Sequence, residues 1–196
     1  ILLQEGLARS GARRPVQIFA TDIDDRAIEV ARAGLYPATI AADLSAERLE
    51  RHFTREDGNY RITKSLREMF LFSSHDVVKD PPFSRLDLVS CRNLLIYFNP
   101  ELQQRVLATF HYALRPGRYL FLGPSEGVVA QPRLFAALDK RHRFYVRRDT
   151  PARLPVFPSS PGLARPPPAR GAQLPSDDQI GRQAARAMAR YAPAYL

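Results

Sequence analysis

The chain has 196 residues, 45% of them hydrophobic and 25% charged, enough for one α/β domain of about 150 residues with further material beside it. Its net charge of +9 is spread along the chain and never gathers into a Lys/Arg stripe interleaved with aromatics, so nucleic acid is not an expected partner. One cysteine excludes an intrachain disulfide, the four histidines lack metal-ligand spacing, and no run approaches the roughly 18 apolar residues of a membrane span.

In chain order, residues 1–12 place apolar side chains at 2, 3, 7 and 8 ahead of Gly11, which reads as the last part of an amphipathic helix. Residues 16–20 form a short apolar strand closing on Thr21 and Asp22. Asp24 is a good N-cap for the next helix, with Ala27, Ile28, Ala31 and Leu35 along one face and Gly34 near its stop. Helix, strand and helix in quick succession mark a doubly wound sheet. Residues 43–67 break that rhythm: a short helix over 44–53 capped by Ser45, a turn at 57–59 and an alternating strand at 60–63 form a small β insertion. A strand over 66–73 returns to the core. The turn at 80–85 then leads into an apolar strand, 86–90, expected to be fully buried and followed by the polar pair Arg92 and Asn93 and, four residues on, Tyr97.

A helix over 101–114 turns Leu102, Val106, Leu107, Phe110 and Leu114 inward, and residues 115–117 stop it. The buried strand 119–122 ends at Gly123, and 134–147 closes the sheet with an antiparallel strand. Residues 1–149 are thus one domain. From 150 to 175 the chain is proline-rich and reads as a linker, and 176–196 reads as a helical connector, capped by Ser176, to a following domain. Because it opens on Ile1, the chain is expected to be a piece of something longer.

Ligands of open α/β sheets bind outside the carboxyl ends of the strands. Three such ends carry polar residues. A carboxylate at Asp22 suits the vicinal diol of a ribose, although Asp24 and Asp25 show that capping also favours Asp in this turn. Asp76 and Val77 follow the next strand, where they suit an adenine edge and where Asp76 reads equally as a turn cap. Arg92 and Asn93 follow the third. Cys91 reads as a small buried residue rather than a nucleophile, and no metal site is expected.

Three segments carry a resemblance to a known family: ATDIDDRAIEVARAGLY (20–36), SSHDVVKDPPFSRLDLVSCRNLLIYFNPELQQRVLATFHYALRPGRYLFLGPSEGV (73–128) and RFYVRR (143–148). Together they resemble the chemotaxis receptor methyltransferases (CheR), especially large fused proteins that join methylesterase-like, methyltransferase and PAS sensor domains. The resemblance implies a Rossmann-like class I S-adenosylmethionine-dependent methyltransferase fold and a cytoplasmic protein-glutamate O-methyltransferase. Its implied partners are the cytoplasmic helices of chemoreceptors or a related signalling protein, and PAS-type domains in the same chain. By position, Asp22 would hold the ribose hydroxyls, and Asp76 with Val77 would border the adenine. Asn93 with Leu94 would line the methionine part, Tyr97 would face the methyl group, and Tyr97 and Arg92 would orient the incoming carboxylate. The family usually has Asn where Asp76 stands, and Asp lacks the amide donor. The 43–67 insertion matches the family's small β-subdomain.

Two other readings stay open. Asp22 would serve a nicotinamide cofactor's ribose equally well, and a multidomain sensor could use the module for docking alone. The family's glycine-rich turn after the first strand has no counterpart here, so the sheet is expected to lack that strand. The isolated 196-residue piece is accordingly expected to bind S-adenosylmethionine weakly or not at all; calorimetric titration checks this, and micromolar affinity is the opposing result.

Overall fold

The computed structural model describes residues 1–12 and 14–151, so the expected helical connector and nearly all of the expected linker lie outside the described residues. Helix α1 (Leu2–Arg9) leads to strand β1 (Ile18–Asp22) and helix α2 (Asp25–Ala33). Asp24 caps α2 by accepting the Arg26 N–H at 2.9 Å. Gly34 ends it with φ 61°, and a Cβ there would stand 2.8 Å from Ile62 Cγ1, so both the left-handed backbone and the close neighbour require glycine.

That left-handed turn redirects the chain at once. Leu35, which the sequence places on the helix face, instead starts β2 (Leu35–Tyr36) and pairs with Arg61. After a 3-10 turn (Ala38–Ala42) come helix α3 (Ala46–His52) and strands β3 (Phe53–Glu56) and β4 (Asn59–Ile62), giving an antiparallel sheet ordered β2-β4-β3. Phe53 packs edge-on against Tyr36 and Tyr60, and Arg61 pairs with Glu56. Glu5 receives Arg48 Nε and Nη2 at 2.8 and 2.6 Å, tying α1 to α3. The strand expected over 66–73 begins later. The Thr63 carbonyl accepts the N–H groups of Leu66 and Arg67, which closes a helical turn, α4 (Lys64–Arg67), before β5 (Phe70–Ser74).

β1 and β5 pair in parallel, from Ile18 opposite Phe70 to Asp22 opposite Ser74. β6 (Leu86–Cys91) pairs in parallel with β7 (Leu114–Leu122) through the crossover helix α5 (Pro100–Ala113). β8 (Phe135–Asp139) and β9 (Phe144–Arg147) complete this sheet antiparallel, in the order β6-β7-β9-β8. This is a Rossmann-like α/β arrangement in two pieces, and among the described residues the strands β1, β5, β6 and β8 each keep an unpaired edge. Val106, Leu107 and Phe110 of α5 pack with Cys91, Leu114, Leu120 and Leu122 to form the core. On β6, Val89 and Cys91 pack with the α5 core cluster, while Leu88 points to the other face. β6 is therefore not buried on both faces as expected, and Leu88 and Tyr119 on the other face are 37% and 40% exposed among the described residues.

His111, 1% exposed at the end of α5, places Nε2 3.0 Å from the Arg148 carbonyl and 3.1 Å from Thr150 Oγ1, and so holds the segment after β9. Burial pushes its pKa below the ordinary 6.5, the Arg148 carbonyl opposes that shift, and the Arg147 charge adds to it. Unfolded chains thus bind a proton that the native state resists. Stability should be complete above about pH 6.5 and fall as pH drops below it. Urea unfolding between pH 8 and pH 5 should show that decline, and His111→Gln should reduce it, leaving the share of His52, which burial also holds below the ordinary value.

Candidate functional site

Asp22 ends β1 on the side where its partner β5 also ends, and its carbonyl accepts the His75 N–H at 2.9 Å. The loop after β5 is therefore tied to the end of β1. The exposed Asp22 carboxylate uses Oδ1 to accept the Asp24 N–H at 3.0 Å, which leaves Oδ2 without a protein partner among the described residues. One oriented oxygen and one open one suit a sugar diol.

Asp76 is arranged differently. Its Oδ1 accepts the N–H groups of Val78 and Lys79 at 2.9 and 3.3 Å, Oδ2 lies 3.4 Å from Lys79 Nζ, and its own N–H donates to Asp80 Oδ2 at 2.8 Å. Partial burial pushes its carboxyl up, but the two amides and the ammonium outweigh that and hold it below the ordinary carboxylate value. The Asp76 side chain is thus engaged in capping its own turn. Val77, beside it, is half-buried and packs on the core cluster that also receives Leu94, which brings the loops after β5 and β6 onto one support.

The loop after β6 depends on Glu126, whose role no sequence pattern reveals. Glu126 is 4% exposed. Its Oε1 accepts the N–H groups of Leu94 and Leu95 at 2.8 and 2.7 Å, and its Oε2 accepts those of Asn93 and Gly123 at 3.0 and 2.7 Å. Asn93 sits at φ 59°, in the left-handed region that Asn tolerates better than most residues. Arg92 lays its guanidinium 5.1 Å from the centre of the Phe121 ring, which stacks in turn on Phe144 at 4.4 Å. Tyr97, on the 3-10 turn Leu95–Tyr97, is 78% exposed. That turn is fastened to α5 by Gln103 Nε2, which donates to the carbonyls of Leu95 and Phe98 at 3.0 Å each.

The structure therefore joins Asp22 to the turn of Asp76 and Val77 by a hydrogen bond, and that turn to Leu94 by shared packing. Asn93, Arg92 and Tyr97 belong to the same β6 loop, Arg92 on the Phe121 side and Tyr97 out in solvent. Only the segment GPSEG after a buried strand could have pointed to Glu126, since its partners near Asn93 lie more than thirty residues earlier. Among the described residues no three His, Cys, Asp or Glu side chains gather as a metal site, and no helix is long and apolar enough to cross a membrane.

Comparison with known proteins adds an independent line. The family described as CheR methyltransferase, SAM binding domain, matches residues 1–144. The chain is 43% identical over 178 residues to an uncharacterized 104.1 kDa protein in the hypE 3'region of Rhodobacter capsulatus, covering 89% of this chain and 19% of that protein. It is 36% identical over 136 residues to the putative methyltransferase Cher3 of Pseudomonas putida, covering 65% and 48% of the two chains. It is also 36% identical over 116 residues to chemotaxis protein methyltransferase 1 of Pseudomonas aeruginosa, covering 58% and 42%. The chain thus spans between about a fifth and about half the length of these relatives.

Cys91, beside this loop, is buried, and burial together with the Glu126 charge pushes its thiol up to about 12. It is protonated at neutral pH and is no nucleophile. At pH 8 an aromatic disulfide reagent should label the native protein on the order of 100-fold more slowly than the urea-unfolded chain, as absorbance of the released thiolate will show.

Proposed function

The chain belongs to the CheR methyltransferase family, and from that premise we propose that it holds the cofactor in S-adenosylmethionine-dependent O-methylation of glutamate side chains on chemoreceptors or a related signalling protein. S-adenosylmethionine is the cofactor of the matched domain. The observation that supports the reading best is Asp22, a carboxylate with one oxygen oriented by its own turn and the other open, at the carboxyl end of a parallel strand.

When bound, the cofactor supplies a methyl group on a positively charged sulfur, an electrophile that a carboxylate attacks without a general base. The work left to the protein is then positioning. Asp22 Oδ2 is the acceptor for the ribose hydroxyls. Val77 gives the adenine an apolar border, while the Asp76 side chain acts through its turn, because turning it toward the base would uncap Val78 and Lys79. Asn93 and Leu94 line the methionine part. The Asn93 N–H is already bonded to Glu126, so the Asn93 contribution comes from its side chain. Tyr97 and Arg92 face the incoming carboxylate. A guanidinium held over the Phe121 ring, 5.1 Å from its centre, gives up no N–H donor to that ring face and keeps them for a carboxylate.

The full-length protein should transfer labelled methyl from S-adenosylmethionine to the cytoplasmic helices of a receptor, as base-labile radioactivity. Absence of transfer, with binding to those helices retained, would favour a docking module instead. Asp22→Asn should raise KM for S-adenosylmethionine about tenfold with little change in kcat, since about 1.4 kcal/mol of charge-assisted hydrogen bonding corresponds to that factor. Tyr97→Phe should lower kcat about tenfold with KM for the cofactor unchanged; undiminished turnover would remove the Tyr97 hydroxyl from the reaction.

A further inference from the structure

One buried carboxylate accepting four main-chain N–H groups is more than a satisfied acid, because the four donors come from two loops. Asn93, Leu94 and Leu95 follow β6, and Gly123 follows β7, the parallel neighbour of β6. Asn93 at φ 59° followed by Leu94 at φ −114°, ψ −46° alternates left- and right-handed conformations, which turns successive amides toward one point. Backbone of that shape forms a concavity for an anion. Here the concavity is filled from within by Glu126. The packing leaves no slack: a Cβ on Gly123 would stand 2.6 Å from Glu126 Oε2, 3.0 Å from Asn93 Oδ1 and 3.1 Å from the Asn93 nitrogen.

Without the carboxylate the Leu95 and Gly123 amides lose their acceptor in a place that water hardly reaches, since Leu95 is 2% and Glu126 4% exposed. The loop would then have to rearrange, and the left-handed turn at Asn93 is the part with least intrinsic preference for its conformation. Asn93 and Leu94 are also the two residues expected to line the methionine part of the cofactor. Resting on the function proposed above, we propose that Glu126 is a positioning residue for the cofactor. It holds residues 93–95 in the turn that presents the Asn93 side chain and Leu94 to S-adenosylmethionine, without touching the cofactor itself.

The test compares the full-length protein with Glu126→Gln, which keeps the size but directs an NH2 group at two of the four donors. Dissociation constants and KM for S-adenosylmethionine should rise at least tenfold, while KM for the receptor substrate stays within about twofold. Amides of residues 93–95 should exchange with deuterium slowly in the wild type and at least tenfold faster in the variant. A folded variant with a lowered melting temperature but unchanged cofactor affinity would overturn the proposal and leave Glu126 a purely structural residue. Should Glu126→Gln not fold, the wild type decides. Slow exchange at residues 93–95 that slows further with S-adenosylmethionine supports the proposal, and exchange as fast as in an unstructured peptide overturns it. A wild-type protein that does not bind S-adenosylmethionine would instead overturn the functional reading, so the two failures are distinguishable.

Discussion

Burying a carboxylate is tolerable only when hydrogen bonds replace its lost water, and Glu126 meets that condition with four of them, all between 2.7 and 3.0 Å. Because its donors sit at the ends of neighbouring parallel strands, the requirement becomes a geometric constraint on the whole edge. β6 and β7 must keep their register, α5 must hold them against the core, and the chain must pass through a left-handed residue directly after β6. The apolar packing of Val106, Leu107, Leu120 and Leu122 supplies the rigid base on which this is possible. Gly123 supplies the room.

The same device recurs on a smaller scale around the rim. Asp22 accepts the Asp24 amide, Asp24 accepts that of Arg26, Asp76 accepts those of Val78 and Lys79, Asp80 accepts that of Asp76, and the Asn99 side chain accepts that of Leu102. A protein with net charge +9 thus shapes the loops at the carboxyl ends of its strands with acidic and amide side chains turned onto their own backbone. The difference between Asp22 and Asp76 follows from this economy of acceptors. Asp22 has one oxygen without a partner among the described residues, whereas Asp76 commits Oδ1 to two amides and sets Oδ2 beside the Lys79 ammonium.

Much of this was legible from local pattern. The apolar spacing of α5, the short strands β1 and β6, the Asp24 cap and the Gly34 stop all depend on residues close together in sequence, and the structure has them. Leu35 and Leu66 were placed on the wrong kind of element because the deciding partners, Arg61 and the Thr63 carbonyl, compete with a periodicity that is itself ambiguous over so few residues. The helix stops at Ala113, just ahead of the expected 115–117, and those residues also lie within the nine-residue β7, whose early part meets β6 only through an irregular register. Glu126 is illegible in the sequence for a different reason. A single acid in a glycine-flanked loop looks like solvent-facing surface, and only the folded chain brings its four donors to it.

The stack of Arg92 on Phe121 on Phe144 has a consequence of its own. A guanidinium held over an aromatic ring has fewer rotamers open to it than one free in solvent. Lysine carries the same charge but not the flat shape, and it would meet each incoming anion as a loose tether.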